Sequence, residues 1–263
     1  MKITGIVAEY NPFHNGHRYH VEQARELSGC DAVIAVMSGH FVQRGEPAAF
    51  DKWARARMAL LCGVDAVFEL PAFYALQSAD WFATGGVAVL DGLGADFLCF
   101  GAESPDLGLL RQVSRLWGDE PEELRAAIKA GLQSGKPHPR ARAEALEAWL
   151  GVSGASEALA APNSVLGAMY LRQLADLGSG LVPLAIQRVQ AGYHDETIDG
   201  PVASATAVRK AFAGGSGGWR QAIPDAAAAV ILNEQQRGAG PVQPEHFAQM
   251  LLYALRTGRS LPD

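Results

Sequence analysis

The sequence predicts an α/β fold: a Rossmann-like parallel sheet with a helical insertion and a helical C-terminal portion. Three observations predict it. Short, nearly uninterrupted apolar runs recur through the first hundred residues, as strands buried on both faces require. Stretches of helical periodicity separate them, which calls for parallel pairing through right-handed crossovers. Each run ends in polar, proline or glycine residues, and in such sheets ligands sit beyond the carboxyl ends of the strands.

The elements follow in order. Ile3 to Ala8 is the first strand, ended by the turn-prone Asn11-Pro12. A helix is expected from about His17, with Val21, Ala24 and Leu27 on one face and Gly29 placed to stop it. Ala32 to Met37 is the second strand, running into Ser38-Gly39. Asp51 to Leu61 reads as a helix stopped by Gly63, and Ala66 to Leu70 as a third strand closed by Pro71. Ala79 to Leu90 is helical, and Phe97 to Phe100 is a fourth strand ended by Gly101. Residues 105–180 read as a largely helical insertion, with an opening at Glu120-Pro121-Glu122-Glu123 and helices over Arg140 to Leu150 and Asn163 to Leu177. Leu181 to Ile186 returns the chain to the sheet, and Ser204 to Phe212 opens a helix. Residues 1–213 are therefore expected as one domain, Gly214 to Gly218 as a flexible break, and 214–263 as the start of a helical C-terminal region.

Bulk properties narrow the classes. At 263 residues, 49% hydrophobic and 19% charged, the chain reads as globular. Cys30, Cys62 and Cys99 are far apart and form no CxxC, which argues against a disulfide framework or a zinc finger. No stretch approaches the ~18 apolar residues of a membrane span. The first residues run straight into a strand with no signal peptide, so a cytoplasmic protein is expected. A net charge of −6 argues against nucleic acid as a partner unless a local patch overrides it. Arg44, Lys52, Arg55 and Arg57 form one basic cluster, and a tract from Arg111 to Arg142 forms a longer one, expected as solvated helix faces.

The chemistry-bearing segment is His14-Asn15-Gly16-His17, between the first strand and the first helix. A phosphate there meets free backbone N–H groups and the positive end of the helix dipole. Gly16 lets it approach the backbone, and two imidazoles can donate where charge builds up during transfer. His20 continues the three-residue spacing, but no carboxylate or thiolate stands at ligand spacing beside the histidines, so no metal site is assigned. Ser204-Ala205-Thr206-Ala207-Val208-Arg209 offers hydroxyls, helix N–H groups and a basic side chain; taken alone it also reads as an ordinary Ser/Thr cap.

The H-x-G-H pattern in this location resembles the motif of the nucleotidylyltransferase superfamily, of the HUP type. A closer resemblance covers residues 3 to about 212. Gly5 to His17, Met37 to Ala48, Asp51-Lys52-Trp53, Glu69-Leu70-Pro71, Phe100-Gly101-Ala102-Glu103, Pro162 to Gly167, Arg188, Gly192-Tyr193-His194-Asp195 and Ser204 to Arg209 are similar, in order, to the tRNA(Met) cytidine acetate ligase family. His40 and Ser164 stand where that family commonly has asparagine, and its members extend well beyond the point where this chain stops.

The resemblance implies activation of acetate by ATP to acetyl-adenylate and pyrophosphate, then acetylation of N4 of the wobble cytidine of elongator tRNA(Met). It implies an ATP site of Val7, Ala8, Glu9, Tyr10, Asn11, Pro12, Phe13, His14, Asn15, Gly16, His17, Arg18, Tyr19 and His20 with Gly101, Asn163 and Arg188, joined by Ser204 and Thr206 at the β- and γ-phosphates. His14, His17, Lys52 and Arg209 are the candidate catalytic residues, and Arg44 and Lys52 candidate phosphate or tRNA contacts. Mg²⁺ is expected to ride on the nucleotide, because no carboxylate cage is visible. Expected partners are ATP, acetate and tRNA, with neither membrane nor DNA. Two other readings stay open: an adenylyltransferase acting on a small phosphorylated cofactor precursor, and a non-catalytic nucleotide- or RNA-binding module.

Overall fold

The structure is a computed structural model, which describes residues 1–117, 119–153, 155–188, 198, 200–215 and 217–258. The sequence block Gly192-Tyr193-His194-Asp195 lies outside the described residues, as does the side chain of Arg44.

Five strands, β1 (Ile3–Ala8), β2 (Ala32–Ser38), β3 (Ala66–Leu70), β4 (Phe97–Ala102) and β5 (Val182–Gln187), form one sheet in the order β3-β2-β1-β4-β5. Every pairing is parallel, with Val7 opposite Val36 and Cys99 opposite Leu184. The chain winds outward from β1 to β3, then returns to lay β4 on the other side of β1. That reversal opens a crevice between the carboxyl ends of β1 and β4, where loops leave in opposite directions.

Helices cover both faces. On one lie α1 (Asn15–Ser28), α2 (Lys52–Leu61), α10 (Ala205–Ala213) and α11 (Asp225–Gln236), packing Val21, Met58, Val208 and Ile231 into a shared core with Ile6 and Ala35. On the other lie α4 (Ala79–Gly92), preceded by the short α3 (Ala72–Ala75), and α9 (Pro162–Asp176). They bury Phe82, Val87, Leu90 and Leu171 against Val36 and Leu98. The insertion adds α5 (Leu107–Leu116), α6 (Glu122–Gln133), α7 (His138–Leu150) and α8 (Ser156–Ala160) outside that layer. The last helix, α12 (Glu245–Arg256), buries no residue.

Local chemistry sets the boundaries. Gly29 stops α1 in the left-handed conformation, with its N–H on the Arg25 carbonyl. Asp51 caps α2, its carboxylate accepting from Ala54 N–H at 2.7 Å, so it precedes the helix rather than opening it. Helix α1 begins at Asn15, two residues before the expected start, because His14 serves as its cap. Strand β4 continues through Gly101 to Ala102, so Gly101 lies within the strand and does not end it. Within the glycine-rich stretch, Gly217–Ala222 forms a 3-10 turn that buries Trp219.

Arg55, for which a solvated helix face was one of two open readings, lies nowhere near solvent. It is fully buried on α2. Its guanidinium donates to the carbonyls of Phe50 and Ser38, each at 3.0 Å, and to those of Glu9 and Gly39. One side chain thereby satisfies carbonyls left over where β1 and β2 end. Most of the longer basic tract is exposed, but Arg142 is buried, stacked 3.6 Å over Trp117 and paired with Glu120 at 2.8 Å.

Candidate active site

A cavity of about 1480 Å³ occupies the crevice at the carboxyl ends of β1 and β4. The β1–α1 segment supplies one wall. His14 Nδ1 accepts from Gly16 N–H at 3.1 Å, and His17 Nδ1 accepts from His14 N–H at 3.2 Å. This is a capping box in which two imidazoles take the roles usually filled by a hydroxyl and a carboxylate. The rings stack, with centroids 3.7 Å apart at 24°. A neutral imidazole that accepts at Nδ1 carries its proton on Nε2. Helix capping thus fixes one tautomer for both rings and leaves each a single Nε2–H donor. Gly16 is required by contact: a Cβ there would stand 2.9 Å from His14 Cε1.

Electrostatics keeps both rings neutral. Burial, then the nearby Arg188 and Arg209 charges, push the His14 imidazole down to about 3 from its ordinary 6.5. Burial pushes His17 well below its ordinary value, with His14 and Arg188 adding to it. His20, one turn along α1, is lowered by burial and Arg188 to about 4. Arg188 is the cation that bears on all three.

The opposite wall comes from β4, α9 and the end of β5. The Glu103 carboxylate accepts from Asn163 Nδ2 at 2.6 Å, from Ser164 N–H at 2.8 Å and from Ser164 Oγ at 3.1 Å. Asn163 Oδ1 accepts from Arg188 Nη1 at 2.5 Å. Arg188 lies across Gly101, where a Cβ would come within 2.9 Å of its Cγ. The third side is the start of α10. Ser204 caps that helix, accepting from Ala207 N–H at 3.0 Å, and with Thr206 it faces the cavity. Arg209 donates to the Asn11 carbonyl at 2.9 Å and to Thr206 Oγ1 at 3.3 Å. The HIGH Nucleotidyl Transferase family model matches residues 1–261.

The chain belongs to this family.

Among HIGH nucleotidyl transferases, it is 40% identical to a tRNA(Met) cytidine acetate ligase of Halothermothrix orenii, over 97% of this chain and 63% of that protein. It is 42% identical to a protein of the same name in Caldanaerobacter subterraneus subsp. tengcongensis, over 100% of this chain and 66% of that protein. The chain therefore spans just under two thirds of the length of these relatives. A crystal structure of Thermotoga maritima TmcAL bound with alpha-thio ATP superposes with a TM-score of 0.81 at 40% identity, covering 94% of this chain and 59% of that one.

The family frame makes the placement of the other expected residues readable. Val7, Ala8, Glu9, Tyr10, His14, Gly16, His17, Tyr19, His20, Gly101, Asn163, Arg188, Ser204 and Thr206 all line the cavity. Asn11, Pro12 and Phe13 are buried beneath it, Asn11 accepting from Ala49 N–H at 2.8 Å. The Asn15 amide donates to the carbonyls of Pro201 at 2.7 Å and Gln221 at 3.0 Å, tying α1 to the segment before α10 and to the turn after it. Arg18 is exposed and pairs with Glu22 at 3.7 Å. Lys52 pairs with Glu69 at 2.5 Å and does not line the cavity. Glu9 lines it with one oxygen held by Gln43 N–H at 2.9 Å; burial raises its pKa against that bond and the charges of Arg209 and Arg55. Tyr10 is fully buried, and its hydroxyl has no partner among the described residues. Its φ of 47° is uncommon for a residue other than glycine and marks strain at the cavity floor. Glu103 was missed by sequence reasoning as a site residue. Its signals were its place in the Phe100-Gly101-Ala102-Glu103 block and its position just past the fourth apolar run. Among the described residues, no group of three His, Cys, Asp or Glu could hold a metal ion, and no helix is long and apolar enough to cross a membrane.

Proposed function

We propose that this chain activates acetate with ATP, forming acetyl-adenylate and pyrophosphate, and that the acetyl group passes to N4 of the wobble cytidine of elongator tRNA(Met). One observation carries the reading. Two neutral Nε2–H donors, the Arg188 guanidinium and the capped start of α10 converge on one crevice, and the T. maritima TmcAL of like fold binds alpha-thio ATP. The names of the curated relatives support acetate and tRNA as the other substrates.

In this reading the acetate carboxylate attacks the α-phosphorus in line and pyrophosphate departs. Transfer of this kind is catalysed by positioning and charge stabilisation. His14 and His17 donate to phosphoryl oxygens. Because burial has already made them neutral, they give hydrogen bonds without exchanging a proton in the step. Arg188 and Arg209, with Ser204, Thr206 and the α10 N–H groups, hold the β- and γ-phosphates. Lys52 is proposed to act at the rim rather than inside, since it is held by Glu69. Mg²⁺, where bound, would be carried by the nucleotide and would neutralise part of the triphosphate charge that Arg188 and Arg209 also face.

The test is ATP–pyrophosphate exchange with and without acetate. Acetate-dependent exchange is the expected result. Exchange only with a phosphorylated precursor, or ATP binding without exchange, would refute the assignment. Transfer to tRNA is then measured by N4-acetylcytidine in elongator tRNA(Met), with tRNA bound progressively more weakly as salt rises.

A further inference from the structure

We infer that Glu103 is a positioning residue of the nucleotide site: it fixes the Asn163 amide so that its oxygen, not its nitrogen, faces Arg188. The inference rests on the nucleotide site proposed above and assigns Glu103 a role that the motifs do not.

The donor and acceptor inventory enforces the arrangement. An ionised carboxylate only accepts, and a guanidinium only donates. Asn163 stands between the two, with Glu103 Oε1 2.6 Å from Nδ2 and Arg188 Nη1 2.5 Å from Oδ1. Flipping the amide would set oxygen against carboxylate and NH2 against guanidinium, losing both bonds. The same carboxylate has a second duty. Its other oxygen accepts from Ser164 N–H at 2.8 Å and Ser164 Oγ at 3.1 Å, in the first turn of α9, where a negative charge favours the helix dipole. That turn has no cap from its own preceding residue, Ala161. Glu103 therefore positions the helix that carries Asn163 as well as the amide itself. The Gln187 side chain donates to the Glu103 carbonyl at 3.0 Å, and Arg188 N–H donates to the Ala102 carbonyl at 3.1 Å, which registers β5 against the end of β4. Gly101 completes the arrangement by letting the Arg188 stem lie flat on the strand. The chain from Glu103 through Asn163 to Arg188 spans 85 residues of sequence and delivers one guanidinium to the cavity.

The experiment is ATP affinity by calorimetry for the wild type, Glu103→Ala, Arg188→Ala and the double variant, with melting temperatures measured in parallel. Glu103→Ala is expected to weaken ATP binding about tenfold, as loss of hydrogen bonds to a charged group does. It should add little in the Arg188→Ala background, where there is no guanidinium left to orient. Glu103→Asp should recover part of the affinity. Should Glu103→Ala not fold, Glu103→Gln probes the same relay: its remaining oxygen can stay on Ser164 while an NH2 group, a donor, faces the Asn163 amide. It should weaken ATP by a similar factor and likewise lose its effect without Arg188. Equal weakening with and without Arg188, from either variant, overturns the inference in favour of a purely structural role. Wild-type protein that fails to bind ATP would overturn the nucleotide site and this inference together. Wild-type binding with additive variants would overturn the inference alone.

Discussion

The two walls of the crevice are built on different principles. The β1–α1 wall is local: His14, Gly16 and His17 are set within four residues by the backbone of the helix they begin. The wall opposite is long-range: Gly101 and Glu103 at the end of β4, Asn163 at the start of α9 and Arg188 just past β5 are brought together by the fold. The local wall supplies neutral donors of fixed tautomer. The long-range wall supplies a full positive charge. Dividing the work this way keeps two kinds of error apart, because a shift of α9 disturbs Arg188 and leaves the imidazoles where their own helix holds them.

The largest expected effect breaks the local wall. His17→Ala removes an Nε2–H donor and also the acceptor of His14 N–H, so the cap and the second imidazole loosen together. Acetate-dependent ATP–pyrophosphate exchange should fall on the order of 10²–10³-fold, the usual cost of losing a donor at developing charge. Exchange within threefold of wild type would remove His17 from the mechanism.

A smaller effect is expected from the long-range wall. Gly101→Ala places a Cβ 2.9 Å from Arg188 Cγ, closer than side chains tolerate, and the neighbour is a stem atom pinned between strand and network. Arg188 must lift off β4. ATP affinity should drop about tenfold, as for a lost hydrogen bond to a charged group, with turnover at saturating ATP changed much less. A selective loss in turnover with affinity intact would mean that Arg188 acts on the reacting groups instead of holding the nucleotide.

The same contrast explains what was legible in the sequence. Apolar runs and helix stops revealed all five strands and most of the helices, because these are local signals; Ile3 to Ala8 and Gly29 stand where they were read. The segment of the local wall was legible for the same reason, but Gly16 was read as room for a phosphate, and its contact with the His14 ring came only with the structure. The boundaries that moved are those governed by side-chain caps, as at His14 and Asp51. Arg55 was illegible because its burial depends on carbonyls at the ends of two separate strands, and helical spacing alone places it with Lys52 and Arg57. Glu103 was legible as part of a motif block but not in its role, because its partners lie about 60 residues away. The resemblance supplied Asn163 and Arg188, but what connects them needed the fold.

The third test separates the walls by titration. His14 and His20 are held at about 3 and about 4, and His17 is also depressed, chiefly by burial. In the unfolded chain each imidazole returns to an ordinary value near 6.5, so between the two values the unfolded state binds more protons. The histidine contribution to stability is therefore full above about pH 6.5 and is lost as pH falls toward 4 and then 3. Melting temperature should decline from pH 7 to pH 4.5, and His20→Gln should flatten part of that decline. Carboxylates also contribute to acid unfolding, which is why the comparison between wild type and His20→Gln, at matched pH, is the decisive measurement. Parallel curves for the two proteins would show that the imidazole on α1 is accessible to protons in the folded state. The depressed value of His20 would then fail, while His14 and His17, whose Nδ1 atoms are held by the α1 cap, would each need a variant of their own.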